Sequence, residues 1–211
     1  VPSPEPSRRT QAERRAESES RLIQAAVELI VEQGLKNTSL ADIGRRAGAS
    51  HAAVNHRFGS KDELVERIIE VATAYYAEVA GDRIGAHTGL TALLDTCDLY
   101  LDLVVGANPL GRVHVVLWAE AVSQDASRRG AQQGWDRQFR KFSSALISQG
   151  IAQGTIRPDL KIDETALTIV GALRGIAMQL MLDEGVSLVD AKALVRNLVL
   201  TEVKSETGGE S

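Results

Sequence analysis

The chain has one cysteine, Cys97, in 211 residues. That excludes an intramolecular disulfide framework and fits a reducing interior. No run of 18 or more apolar residues occurs, so no membrane-spanning helix is expected. The first residues, VPSPEPSRRTQAERR, lack the apolar core of a secretion signal. Together these absences lead to an expectation of a cytoplasmic protein. There is no P-loop, no HExxH, no GxSxG and no Cys/His cluster, so neither the usual nucleotide and hydrolase chemistries nor a metal or cofactor is expected. No stretch sustains strand alternation, although VHVVLW alternates briefly between helical flanks, and no repeat recurs at a fixed period. Aromatics make up only 4% of a chain that is 44% hydrophobic, the composition of a soluble globular protein of one domain or two small ones.

What is present is unevenly charged. The net charge is −4, but residues 1–61 hold ten Lys/Arg against seven Asp/Glu, while residues 62–211 hold 14 against 21. A basic front on an acidic body turns the front toward a polyanion. Within that front, Thr38 to Leu64 (TSLADIGRRAGASHAAVNHRFGSKDEL) packs three helix starts and two stops into a short stretch. Thr38 or Ser39 can cap a helix carrying Leu40, Ile43 and Ala47, and Gly48 ends it. Ser50 can cap a second helix, His51 to Arg57, which stops at Gly59. Ser60 and Glu63 have capping-box spacing and open a third. Two short helices joined by a tight turn make a helix-turn-helix, a DNA-reading unit.

Along the chain, residues 1–10 read as a disordered arm and 205–211 as a frayed tail. A helix from Gln11 to Gln33 carries Leu22, Ala25, Ala26, Leu29 and Ile30 on one face. It would pack on the helix-turn-helix around Ile43, Val54, Phe58 and Leu64, giving a DNA-binding unit over 11–60. A connecting helix follows from Lys61 through Tyr76 or Val79, in the interval 61–80. GDRIGAHTG, Gly81 to Gly89, marks the break before a second domain over 81–204. Helices are then expected at Thr91–Val105, Pro109–Val122, Ser127–Gln153, Glu164–Leu182 and Leu188–Val203. The expected fold class is all-α with about nine helices.

The 45 residues around this stretch resemble the DNA-binding signature of the TetR family of bacterial transcription regulators. The carriers are a helix ending at Gly34, the pair Thr38-Ser39, then Ile43, Ala47-Gly48-Ala49-Ser50, and finally Phe58, Ser60, Lys61 and Leu64. QGIAQGTIRPDL and the Ala/Gly-containing helix after it resemble the family's ligand-domain layout. The resemblance implies an N-terminal DNA reader joined to a C-terminal ligand-binding and dimerisation domain. One position departs from the pattern. Where the family usually carries a tyrosine that touches the DNA backbone, this chain has Asn55, which can donate to a phosphate or pair with the edge of adenine.

The DNA-contact candidates on the second short helix are Ser50, His51, Ala52, Ala53, Asn55, His56 and Arg57. Thr38, Ser39 and Lys61 lie at helix N-termini, which attract anions, and are read as phosphate contacts. Arg8, Arg9, Arg14 and Arg15 would extend the footprint. Cys97, Tyr100, His114, Trp118, Phe139, Phe142 and Met178 are the candidates for lining a cavity between the middle helices; plain core packing is the competing account of each. Asp95, Asp98 and Asp102 have helix-face spacing, with His114 on the next segment, and read as a solvated acidic face rather than a metal sensor. Ile169, Ala172, Ile176, Leu180, Leu188, Ala191, Leu194, Val195 and Leu198 are read as facing the same helix pair of a second copy.

The function implied is a homodimeric, non-enzymatic transcription regulator, read as a repressor, that binds a palindromic double-stranded DNA operator and is released from it by a small molecule. The alternatives are a helical small-molecule carrier or enzyme without DNA function, and a DNA-binding regulator with no ligand.

Overall fold

A computed structural model describes residues 10–123 and 129–204. Residues 1–9 and 205–211, read above as arm and tail, lie outside the described residues, as does Ser127. Among the described residues there are nine α-helices and no strand: α1 Gln11–Gln33, α2 Leu40–Ala47, α3 His51–Phe58, α4 Lys61–Ile84, α5 Gly89–Val105, α6 Val113–Val122, α7 Gly130–Ala152, α8 Ile162–Leu182 and α9 Leu188–Val203. A 3-10 turn, Pro109–Gly111, precedes α6. The chain divides into two compact units, 1–68 and 69–211, and the division falls inside α4.

The first unit is shaped by its caps. Thr10 and Glu13 close a capping box on α1, and Ser39 and Asp42 close another on α2. The Ser50 hydroxyl accepts from the Ala53 N–H and starts α3 at 3.1 Å. Gly48 ends α2 in the left-handed conformation (φ 68°, ψ 31°), which glycine enters without a Cβ clash. Ile30, Ile43, Val54, Leu64 and Ile68 are fully buried and Phe58 nearly so. The apolar spacing of α1 to α4 therefore closes one core, with Lys61 to Ile68 of α4 inside the unit. Gly44 lets α2 and α3 approach: a Cβ there would meet the Ala49 carbonyl oxygen at 2.9 Å and Val54 Cγ2 at 3.2 Å. Gly44→Ala is expected to destabilise this unit by about 1–3 kcal/mol, the range for overpacking a close contact, read as an earlier urea midpoint for the loss of its helices.

In the second unit α5 is the central helix, packed against α7, α8 and α9. Leu93, Leu99, Tyr100, Leu101 and Val104 are fully buried along it. The sequence break expected from Gly81 falls later, since α4 runs on to Ile84 and Gly81 sits in open space inside it. Pro109 opens the 3-10 turn rather than α6, because Gly111 is pressed against the Leu103 carbonyl where no side chain fits.

Three residues read as facing a second copy turn inward. Ile169, Ala191 and Val195 are 2%, 6% and 1% exposed and belong to the core around α5. Ala172, Ile176, Leu180, Leu188 and Leu198 are half-buried, and Leu194 is exposed. α8 has the length and mean hydropathy, 1.5, of a helix able to cross a membrane. Its inner face, Ala166, Ile169, Val170, Leu173 and Ala177, is buried in the core. Its outer face leaves Leu167 and Leu182 at the surface, joined by Val189 and Leu194 of α9.

The aspartates of α5 are ion-paired rather than simply solvated. Arg196 reaches Asp98 at 2.9 Å and Asp95 at 3.3 Å, Arg83 reaches Asp102 at 2.8 Å, and Lys192 pairs with Asp102 as well. The two cations on Asp102 hold its carboxyl below the usual range against a desolvation that raises it. These pairs tie α9 and the end of α4 to α5.

Candidate functional site

Two places bring the sequence-derived residues together, one in each unit. In the first, α3 buries Val54 and Phe58 and leaves His51, Ala52, Ala53, Asn55 and His56 exposed. No hydrogen bond or ion pair joins the side chains of His51, Asn55 and His56 to another described residue. The outer face of α3 is thus two methyl groups flanked by an amide and two imidazoles, low enough for close approach to another surface and equipped with donors and acceptors. Ser50 and Ser39 are exposed at the N-termini of α3 and α2, with their hydroxyls accepting the capping N–H groups. Lys61 is half-exposed at the first position of α4.

Two candidates drop out of the exposed set. Thr38 is 1% exposed and its hydroxyl donates to the Gly34 carbonyl at 2.8 Å. It locks the turn after α1, and its side chain does not reach solvent. Arg57 is held on α1 by Glu19 at 3.2 Å and by the Arg15 carbonyl at 3.4 Å. Arg46 is similarly occupied by Glu32 at 2.7 Å and Glu28 at 3.4 Å. Arginines near the turn thus hold helices together, while exposed Arg45 has the local partner Asp42 among the described residues.

In the second unit, four of the seven cavity candidates meet. The rings of Tyr100 and His114 lie 5.2 Å apart, Tyr100 and Phe139 stack at 5.6 Å, and Trp118 is joined to the cluster through Arg174. Sequence reasoning missed the rest: Tyr76 (5.6 Å from His114), Trp135 (4.7 Å from His114), Gln132, Asp136 and Arg174. The Arg174 guanidinium lies over both indoles, 5.0 Å from the Trp118 centroid and 5.3 Å from that of Trp135, and is ion-paired with Asp136. Arg140 shares that carboxylate. A cleft of about 410 Å³ opens beside Trp118, Gln132 and Asp136, with Arg129, Arg137 and Arg140 on its walls. A second, much smaller cavity of about 10 Å³ lies between Ile69, His114, Leu117, Trp118, Gln132 and Trp135.

The three remaining cavity candidates lie elsewhere or serve packing. Phe142 is 46% exposed; three residues past Phe139 on α7, it turns out of the cluster. Cys97 is core packing beside the α5 ion pairs, and burial pushes its thiol up to about 12. Met178 is half-buried against the main core.

The buried polar atoms of this cluster are unusually short of partners. Both ring nitrogens of His114, Tyr100 Oη, Gln132 Oε1, and Nε and Nη2 of Arg174 have none among the described residues. Burial pushes the Tyr100 hydroxyl up to about 12 and lowers His114 to about 3, with the Arg174 charge adding to the latter. His114 is therefore neutral in the folded state at every ordinary pH. Unfolded, it takes a proton below pH ~6.5. Its contribution to stability is fully present above that pH and is lost as pH falls toward 3, by about 1.4 kcal/mol per unit. Compared with wild type, a His114→Phe variant is expected to gain relative stability between pH 7 and pH 5, measured by urea melts at both.

Comparison with known proteins decides what carries these two sites. Residues 22–68 match the model of the bacterial regulatory proteins of the tetR family, and residues 90–204 match that of the BetI-type transcriptional repressor C-terminal domain. The chain belongs to the TetR family. It is a DNA-binding transcription regulator and not an enzyme. Among its TetR relatives is the HTH-type transcriptional repressor KstR2 of Mycobacterium tuberculosis (strain ATCC 25618 / H37Rv), 29% identical over 161 residues, which are 67% of this chain and 70% of KstR2. Two solved TetR-fold structures resemble it in fold. The transcriptional regulator FadR from Bacillus subtilis, in complex with stearoyl-CoA, has a TM-score of 0.76 at 19% identity and covers 88% of this chain and 100% of its own. AibR, in complex with isovaleryl coenzyme A and operator DNA, has a TM-score of 0.71 at 17% identity over 86% of this chain and 97% of its own. The all-helical TetR architecture, a helix-turn-helix unit followed by a larger helical domain, is the one expected from the sequence.

The residues missed in the TetR second domain left one visible signal. Arg174 is the only charge in α8 after Glu164. A cation within so apolar a helix needs a partner or a purpose.

Proposed function

We propose that this TetR chain is a ligand-responsive repressor that binds a palindromic operator as a homodimer and leaves it when a small molecule enters the second unit. The observation that carries the reading is the outer face of α3. It is exposed, capped at its own N-terminus, seated through buried Val54 and Phe58, and its polar side chains have no hydrogen-bond or ion-pair partner among the described residues. A helix of that kind enters the major groove, where Ala52 and Ala53 meet thymine methyl groups and His51, Asn55 and His56 meet base edges or phosphates. Ser39, Ser50 and Lys61 sit where helix N-termini favour phosphate oxygens. Names of relatives support repression and ligand binding: KstR2 is a repressor, and AibR was solved with operator DNA and an acyl coenzyme A.

The second copy would cover the outer faces of α8 and α9. Leu167, Leu182, Val189 and Leu194 are 55%, 78%, 75% and 59% exposed, and nothing lies over Gly171 and Gly175 between the first two. Ala172, Ile176, Leu180, Leu188 and Leu198 would complete the patch at its edges. Ligand response needs the ligand to bind the released state more tightly than the DNA-bound one. α4 offers a continuous route: Leu64 and Ile68 are buried in the first unit, while Ile69 and Tyr76 border the cavity and aromatic cluster of the second.

The test is binding to DNA upstream of the protein's own gene, followed by fluorescence anisotropy over a salt series. Sequence-selective affinity that falls linearly in log–log with salt is expected; equal affinity for scrambled duplex would refute the reading. Asn55→Ala, tested against single-base operator variants, is expected to cost about 1–3 kcal/mol and to relax discrimination at one base pair if Asn55 reads a base. A uniform loss over all variants would assign it to a phosphate.

A further inference from the structure

We infer that the ligand of the second unit is an organic anion, a carboxylate on an apolar or aromatic body, whose charged head is received by Arg174 with Tyr100 and His114 beside it. This rests on the ligand-responsive reading above and names the chemistry of its ligand.

The first argument is charge. Arg174 is 4% exposed, and the one carboxylate in contact with it among the described residues, Asp136, is shared with Arg140. Two guanidiniums on one carboxylate leave a positive charge uncompensated, and a buried cation without full compensation is costly. The second argument is donor count. Arg174 Nε and Nη2, the Tyr100 hydroxyl and one nitrogen of a neutral His114 offer donor hydrogens without acceptors, the guanidinium atoms alone supplying most of them; Gln132 Oε1, the other His114 nitrogen and the lone pairs of the Tyr100 oxygen are the unmatched acceptors. Donors are in excess, so the group that completes the cluster accepts hydrogen bonds. An ionised carboxylate does so most strongly, and a guanidinium can hold it in a bidentate fork.

The third argument excludes the opposite charge. Aromatic rings at this spacing would ordinarily suit a ligand cation, but here the space over Trp118 and Trp135 is already taken by Arg174. A cationic ligand would have to displace it and leave it buried without its aromatic faces. The route in is the 410 Å³ cleft, which shares Trp118 and Gln132 with the small inner cavity and is walled by further arginines. Its size is within the range that takes a small organic molecule.

The protein supplies its own reporter, since Trp118 and Trp135 are its only two tryptophans and both face Arg174. Full-length protein is titrated with compounds sharing an octyl or a phenylpropyl body and ending in carboxylate, primary amide or trimethylammonium. Indole fluorescence is followed, and operator binding is measured on the same samples. The expected result is a saturable change with at least one carboxylate, at an affinity roughly tenfold or more above its amide, one charge-assisted pair being worth about that factor. Arg174→Gln should bring carboxylate and amide within about threefold of each other, and Arg174→Lys should keep part of the preference. If Arg174→Gln does not fold, Tyr100→Phe carries the test, with carboxylate binding about three- to tenfold weaker and amide binding unchanged. Equal carboxylate and amide affinities, or a preference for trimethylammonium, would overturn the anion assignment while a ligand response remained. Silence in every arm would overturn it as well. Failure of the regulator reading would appear separately, as absence of operator binding by the unliganded protein.

Discussion

Ala52→Glu is expected to weaken operator binding by about 100-fold or more while leaving the melting temperature within a few degrees of wild type. The asymmetry follows from where Ala52 lies. Its methyl is on the exposed face of α3, so the folded unit loses no packing when it is enlarged. The same face is the one proposed to lie in the major groove, where a longer side chain holds the helix away from the base edges and a carboxylate meets the phosphate charge. Loss of close contacts and added repulsion act together, and each alone is worth about 1–3 kcal/mol. Ala107→Glu is the matched control, an exposed alanine in the second unit with the same change in net charge. Its effect should be limited to a few-fold through long-range repulsion. Anisotropy titrations at one fixed salt concentration, with thermal melts of each variant, make the measurement. Equal losses from both substitutions would mean that net charge, not the α3 face, governs affinity.

Leu182→Glu combined with Leu194→Glu is expected to convert a dimer into a monomer at micromolar concentration, seen by sedimentation velocity. Both leucines are largely exposed in the chain by itself, so the fold has little reason to resist the change. In an interface each glutamate would have to be buried without a partner or left out of contact, at about 3–5 kcal/mol for an uncompensated buried charge. Affinity for a palindrome should fall with the dimer, because the second half-site is then no longer bound intramolecularly. Ile169→Ala separates this from simple damage. Ile169 is core, so its truncation should cost about 2–5 kcal/mol of stability without the same selective loss of association.

How far the sequence could be read depended on whether its signals were local. Ser39, Gly48, Ser50 and Gly59 placed the ends of α2 and α3 because a cap is decided within about four residues. Val54 and Phe58 announced the buried side of α3 because every other position around them is polar or small. Direction was illegible where a helix is apolar on all sides. Ile169 and Val195 looked as available to a partner as Leu194, and only packing against α5 separates them. The intrachain partners of Thr38 and Arg57 were illegible for a related reason. A hydroxyl or guanidinium next to a DNA-reading helix has the right chemistry for phosphate, yet Gly34 and Glu19 already hold them. The Arg174 cluster joins α4, α5, α6, α7 and α8, and no spacing rule spans five helices. Its one linear trace was a lone charge in an apolar helix.

The separation of α3 into a held side and an outer side has a bearing on how such a regulator changes over generations. Val54 and Phe58 do the anchoring, while the five outward residues from His51 to His56 contribute almost nothing to folding. Substitutions there cost about half a kcal/mol or less, so the DNA sequence that is recognised can drift without endangering the protein. The Arg174 cluster has less freedom, since Tyr100, His114, Gln132 and Arg174 are buried and a replacement there must be repacked. Lineages of this chain should therefore acquire new operators readily and new effectors slowly.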